Sequence, residues 1–98
     1  MGSGDVVTLS VKDSGGKLQG GKGLSIGFIA DNGRYGFARR ASQTASVFGY
    51  QMTIPKGHIS WLVVDTPLAV LDAQGSQITA GQRGRPLSGP TSVTLTLP

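Results

Sequence analysis

Two short glycine-rich motifs hold residue types that phosphate-binding and catalytic sites use. Gly16–Gly23 resembles a phosphate-binding loop, and Gly23–Gly27 matches the G-x-S-x-G pattern around a nucleophilic serine. The first motif needs Ser or Thr after its lysine and then a helix, but Gly23 follows Lys22 and an alternating segment comes next. The second needs a sharp strand-to-helix turn, whereas Ser25 lies within the alternating segment. We expect a glycine-rich connection here and no catalytic serine.

The rest of the chain offers few groups for acid–base or metal chemistry. It contains one histidine, His58, five aspartates, and neither glutamate nor cysteine. The absence of cysteine excludes disulfides and thiolate ligands, and the aspartates do not have the spacing of a metal site. We expect a protein that is not an enzyme and that uses no metal or other cofactor.

The chain is basic, with a net charge of +4. Arg83–Pro86 matches the core of an AT-hook, and Arg39–Ser42 matches the site of a basophilic kinase. We favour solvated arginines for both, because short motifs often match by chance. A basic surface for nucleic acid would consist of Arg39, Arg40, Arg83 and Arg85. We rank nucleic acid behind other partners because the cations are scattered along the chain.

Two aromatic residues, Tyr50 and Trp61, fall on neighbouring predicted strands. If exposed, the pair could stack on a sugar ring or a base. If buried, both residues are core aromatics, the commoner role of large side chains on an alternating strand. We expect Trp61 to lie in the core.

The elements that must position these residues are β-strands. Sixteen glycines, the lack of glutamate and many β-branched residues disfavour helices. Apolar and polar residues alternate along most of the chain. The alternation predicts strands at Val7–Val11, Leu24–Phe28, Arg34–Ala38, Phe48–Ile54, Ile59–Val64, Leu68–Leu71 and Thr91–Leu97, with one more possible strand at Gln77–Thr79. Asp31–Gly33 predicts a hairpin turn, and residues 80–90 are expected to form a loop.

Seven or eight short strands at regular spacing predict an all-β fold, either an antiparallel β-sandwich or a small barrel. We favour the two-sheet sandwich. Residues 1–4 have the composition of a cloning remnant, and residues 5–98 are expected to form a single domain. No apolar run is long enough for a transmembrane helix, so we expect no membrane insertion.

The last predicted strand could pair in its own sheet or with another chain. Its alternating sequence would suit either role. We favour pairing in its own sheet, because terminal strands are commonly tied down in this way. The residues of this possible strand-pairing edge are Thr91, Val93, Leu95 and Leu97.

The first two-thirds of the chain resembles the tip and invasin subunits of chaperone–usher fimbriae of the Afa/Dr type. The resemblance lies in Val7–Ser10, Gly16–Gly21, Gly27–Ile29 and Gly36–Phe37, followed by strands near Tyr50 and Trp61. It implies a single-domain immunoglobulin-like sandwich that lacks its last strand and accepts a strand from a neighbouring subunit. It also implies attachment to host surfaces, and it assigns no receptor-binding residue.

We therefore expect a non-catalytic binding or assembly module of a bacterial surface structure, such as a fimbrial adhesin or pilus subunit. Its expected partners are other subunits, through strand pairing, and a host receptor or glycan. Its expected location is the cell surface or the extracellular space. The alternatives are a basic β-barrel that binds nucleic acid and a structural subunit of a phage virion or tail.

Overall fold

Eight β-strands make up the regular structure in the computed structural model, which describes residues 4–18, 23–44 and 46–98. No helix occurs in these ranges, and so none that could cross a membrane. The all-β class predicted from the sequence is confirmed. The strands are β1 (Gly4–Lys12), β2 (Ser25–Ala30), β3 (Tyr35–Phe37), β4 (Arg39–Gln43), β5 (Val47–Pro55), β6 (Ser60–Asp65), β7 (Pro86–Leu87) and β8 (Thr91–Thr96).

The strands form two sheets of four, as the predicted sandwich requires. Sheet A has the order β4-β5-β1-β8, and sheet B has the order β3-β2-β6-β7. Neighbouring strands are antiparallel, with the exception of β1 and β8, which are parallel. The parallel pair is an exception to the expected antiparallel pairing. Two parallel neighbours must be joined by a long crossover connection. Here all of the chain between β1 and β8 supplies that crossover.

The core lies between the sheets and follows from alternation along the strands. In β1, Val7, Leu9 and Val11 are fully buried while Thr8 between them is exposed. Successive side chains of a strand point to opposite faces, so one face of each strand enters the core. Burial of that apolar surface is the main stabilising term for such a fold. The largest fully buried apolar side chains are Leu9, Leu18, Ile54, Leu62, Leu87, Leu95, Leu97, Val7, Val11, Val64 and Val70.

Several short elements differ from the sequence prediction. β4 was not predicted as a separate strand, because every residue in it is exposed and it shows no apolar alternation. β7 lies within residues 80–90, which were expected to form a loop. Conversely, the expected strands at Leu68–Leu71 and Gln77–Thr79 are absent. That region forms only isolated bridges, from Leu71 to Gln77 and to Thr96.

The turns that join the strands are fixed by backbone and carboxylate hydrogen bonds. The predicted hairpin turn between β2 and β3 is confirmed: the Gly33 N–H donates to the Ala30 carbonyl at 3.0 Å, and Gly33 has a φ of 86°. The phosphate-loop pattern falls partly on residues 19–22, which lie outside the described residues. Just before them, the Asp13 carboxylate accepts the Lys17 and Leu18 N–H groups at 2.8 and 2.9 Å.

Candidate functional site

The outer face of sheet B carries the largest exposed aromatic residues of the described chain. Tyr35 and Phe37 of β3 are 74% and 75% exposed. Trp61 of β6 is only partly buried and lies outside the core, so the expectation that it is a core residue is wrong. In β6 it is Leu62 and Val64 that point inward. Trp61, on the alternate face, therefore points outward.

Strand register places these residues side by side. Ile29 of β2 lies opposite both Tyr35 and Trp61. One row further along, Gly27 lies opposite Phe37 and Val63. Directly opposed residues share one face of a sheet. We call the face made by Tyr35, Phe37, Ile29, Gly27, Trp61 and Val63 the aromatic face. Gly27, Tyr35, Phe37 and Val63 are among the residues that line a cavity of about 390 Å³ on this face.

Three arginines lie close to residues of the aromatic face: Arg83 contacts Trp61, and Arg34 and Arg39 each share a cavity with Tyr35. The guanidinium carbon of Arg83 lies 4.9 Å from the centroid of the Trp61 ring, a cation–π contact. Arg34 directly precedes Tyr35, and Arg39 follows Phe37 by two residues. None of the three forms an ion pair with a carboxylate of the described residues. These three positive charges near the aromatic face are therefore not neutralised by an ion pair within the described residues.

The predicted basic residues do not form one patch. Arg39 and Arg40 lie on β4, an edge strand of sheet A, and the guanidinium of Arg40 lies 5.9 Å from the Phe48 ring centroid. Arg83 and Arg85 run beside β6 and lead into β7, at the other edge of the sandwich. Arg34, which the sequence prediction did not single out, directly precedes Tyr35 and lines a cavity with it.

The other candidate surface is the edge of sheet A formed by β8. The Leu97 N–H donates to the Lys12 carbonyl of β1 at 2.8 Å. In a parallel ladder the backbone groups alternate in direction, so those of Val93, Leu95 and Leu97 face β1. The side chains of these three residues are buried in the core. The free edge of β8 therefore belongs to the residues between them.

The free edge of β8 is only partly occupied. Thr96 exchanges two backbone hydrogen bonds with Leu71, at 2.8 and 2.9 Å. The outward backbone groups of Ser92 and Thr94 have no hydrogen-bond partner in residues 4–18, 23–44 and 46–98. A cleft of about 520 Å³ is lined by Thr94 together with Gln77 and Arg85. The predicted edge residue Thr91 begins the strand.

The single histidine takes part in a surface contact. His58 Nδ1 lies 2.7 Å from a carboxylate oxygen of Asp31, and the Ile59 N–H donates to the other oxygen at 3.2 Å. The Ile59 N–H, followed by His58, stabilises the carboxylate and lowers the pKa of Asp31 below its ordinary value. These contacts connect the turn after β5 to the turn after β2.

Ser25 lies on β2 and is exposed, as the strand interpretation of its motif predicts.

We expect the contribution of Asp31 to stability to disappear in acid. A carboxyl with a lowered pKa stabilises the fold above its unfolded-state pKa, and this stabilisation is lost as the pH falls through the folded-state value. In urea unfolding between about pH 7 and about pH 2, Asp31→Asn should be less stable than the parent at neutral pH and should converge with it in acid. Asp65→Asn controls for the change in net charge, because the Asp65 carboxylate, unlike those of Asp13, Asp31 and Asp72, accepts no backbone N–H of the described residues. A difference that does not change with pH would contradict this.

The described residues contain no group of three histidine or acidic side chains that could hold a metal ion. Tyr50 is buried as a core residue, and burial raises the pKa of its hydroxyl.

In comparisons with known proteins, no family model, curated protein or solved structure matches the chain. The aromatic face and the free edge of β8 are therefore the two surfaces on which a functional proposal can rest.

Proposed function

We propose that the domain is a non-catalytic binding and assembly module of a bacterial surface structure, such as a fimbrial adhesin or pilus subunit. It acts outside the cell, joins other subunits by strand pairing and attaches the structure to a receptor or glycan. The observation that carries this proposal is the free edge of β8. An edge with unpaired N–H and C=O groups can add a strand from another chain.

The composition of the two sheets supports β8 as the pairing strand. The edge strands of sheet B are short, with three residues in β3 and two in β7. β4 carries two arginines and a register shift between Arg40 and Ser42. Short edges, charges and bulges all discourage pairing with another chain. β8 has none of these features over Thr91–Thr94. On its side away from β1, only Thr96 has a backbone partner within the described residues.

We expect Thr94→Pro to abolish strand addition while the domain stays folded. Proline removes the outward N–H of Thr94 and leaves the N–H groups that face β1, so it is tolerated at such an edge position. Binding of a fluorescein-labelled peptide with the sequence of residues 91–98 should weaken at least about ten-fold. Thr94→Val, which keeps the N–H, is the matched control and should bind like the parent chain.

A folding control, a hydrogen-exchange experiment and a set of binding assays complete the test. Circular dichroism and thermal melting must show that Thr94→Pro remains folded. Hydrogen exchange at Ser92 and Thr94 should slow when the peptide binds. A monodisperse monomer that accepts no strand peptide and binds neither cells nor a glycan array would overturn the proposed function.

A further inference from the structure

The aromatic face belongs to sheet B, whereas β8 belongs to sheet A, and strand pairing at β8 does not use Tyr35 or Phe37. Arg83 lines both the cavity beside Gly27 and the cleft next to Thr94. Three cavities surround β3, and Tyr35 lines all of them. The cavity beside Gly27, of about 390 Å³, contains Arg83. The neighbouring cavities, of about 370 and 460 Å³, contain Arg34 and Arg39 respectively. Each space therefore combines the Tyr35 ring with a different arginine.

Charge in these cavities is almost entirely positive. Asp65 is the one carboxylate among their described lining residues. Lys56 and His58 also line the cavity that contains Arg34, although each lies near an aspartate of its own. With a net charge of +4 on the whole chain, this arrangement attracts an anionic ligand.

The exposed rings restrict which anion fits. Flat aromatic side chains on an open sheet face stack on nucleobases, and arginines beside them neutralise phosphates. A duplex keeps its bases stacked inside, so its rings cannot reach Tyr35 and Phe37. From this geometry we propose that the aromatic face, with Arg34, Arg39 and Arg83, binds single-stranded nucleic acid.

A second copy of this chain is a poorer occupant. A two-fold contact through this face would place the same surface against itself. It would then bring the arginines of one copy against those of the other, without enough carboxylates to neutralise them. Like charges that face one another across an interface are unfavourable. A single strand of nucleic acid covers the rings and supplies the missing negative charge.

The proposal is tested with the full chain and a fluorescein-labelled oligothymidylate of about 12 nucleotides, a length within the range that one small β-domain covers. Fluorescence anisotropy should show binding whose affinity falls roughly twenty-fold between about 50 and about 200 mM salt, as three phosphate contacts predict. The same sequence annealed into a duplex should bind more weakly. Removal of one arginine, in Arg39→Gln, should reduce the salt slope by about 0.7.

Stacking is tested separately from charge. Phe37→Leu and Tyr35→Leu should each weaken binding roughly ten-fold, whereas Tyr35→Phe, which keeps the ring, should bind like the parent. Arg85→Gln removes the same charge as Arg39→Gln outside the three cavities, and it should leave affinity within about two-fold. Melting temperatures establish that each variant is folded.

Three outcomes would overturn the inference. One is no binding of the single strand at about 50 mM salt. Another is equal affinity for single strand and duplex with no effect of Phe37→Leu, which indicates general attraction to a polyanion. The third is a dimer in solution that Phe37→Leu dissociates, which assigns the face to a second copy. None of these outcomes decides the peptide-binding test of β8, because that test changes Thr94, which lines none of the three cavities.

Discussion

We expect Asp13→Ala to lower the free energy of unfolding by about 3 kcal/mol. Asp13 is 3% exposed, and its two carboxylate oxygens each accept a backbone N–H, from Lys17 and Leu18. Its own N–H donates to the Ser46 carbonyl at 2.7 Å, which fixes its position. Alanine leaves two donors without their acceptor, and one of them, on the fully buried Leu18, is shielded from water. Hydrogen bonds to a charged acceptor are the stronger ones, and a buried unpaired donor is unfavourable.

The control for this prediction is a second aspartate that makes the same kind of contact in the open. Asp72 accepts the N–H groups of Gln74 and Ser76, both at 2.9 Å, in an exposed turn. Water can replace those bonds, so Asp72→Ala should destabilise the domain by less than about 1 kcal/mol. Urea unfolding followed by circular dichroism measures both variants. Equal losses of stability would show that burial of the Asp13 carboxylate and its two N–H donors does not strengthen their contribution.

For a domain of this size the expected loss is a large share of the total stability. Small domains are stable by about 5 to 15 kcal/mol. The hydrogen bonds from Lys17 and Leu18 to the Asp13 carboxylate fix the chain just after β1 and hold Leu18 in the core. Loss of these hydrogen bonds should therefore release Lys17 and Leu18 first. Faster amide exchange at Lys17 and Leu18 than in β1 would demonstrate that order.

Sequence periodicity predicts the strands whose side chains alternate over several residues, and it misses β4 and β7. β1, β5 and β8 alternate clearly, since one face of each is buried while the other is polar. β4 has no buried face, and β7 is only two residues long. These two strands are defined by backbone hydrogen bonds to β5 and β6, and side-chain patterns carry little of that information. Their discovery required the three-dimensional arrangement.

The aromatic face was missed for a related reason. Around Trp61 both faces of β6 are apolar, so alternation alone does not decide which one enters the core. Packing against sheet A selects Leu62 and Val64, which leaves Trp61 outside. Arg83 reaches the Trp61 ring from a segment that is distant in sequence. The one local sign of the aromatic face in the sequence is the pair Tyr35 and Phe37 on either side of Gly36. A strand as short as β3 covers little of the core, so its large side chains stay exposed.

The centre of the aromatic face depends on the absence of a side chain, and we expect Gly27→Ala to destabilise the domain by about 2 kcal/mol. A Cβ on Gly27 would overlap the carbonyl oxygen of Gly36 and press on the Phe37 ring at 3.3 Å. The carbonyl is a backbone atom, so it can move only if β3 shifts as a unit. β3 pairs with β2 alone, through three residues. The strain should therefore separate β3 from sheet B.

Gly49→Ala is the matched control, because its added Cβ would meet the hydroxyl oxygen of Ser42, which can rotate away. We expect it to change stability by less than about 1 kcal/mol in the same urea titration. The two variants should also differ in ligand binding. Since displacement of β3 moves Tyr35 and Phe37, Gly27→Ala should weaken oligothymidylate binding at a temperature where it is still folded, and Gly49→Ala should not. Equal stability and equal binding of the two variants would show that the contact between Gly27 and β3 does not hold the aromatic face in place.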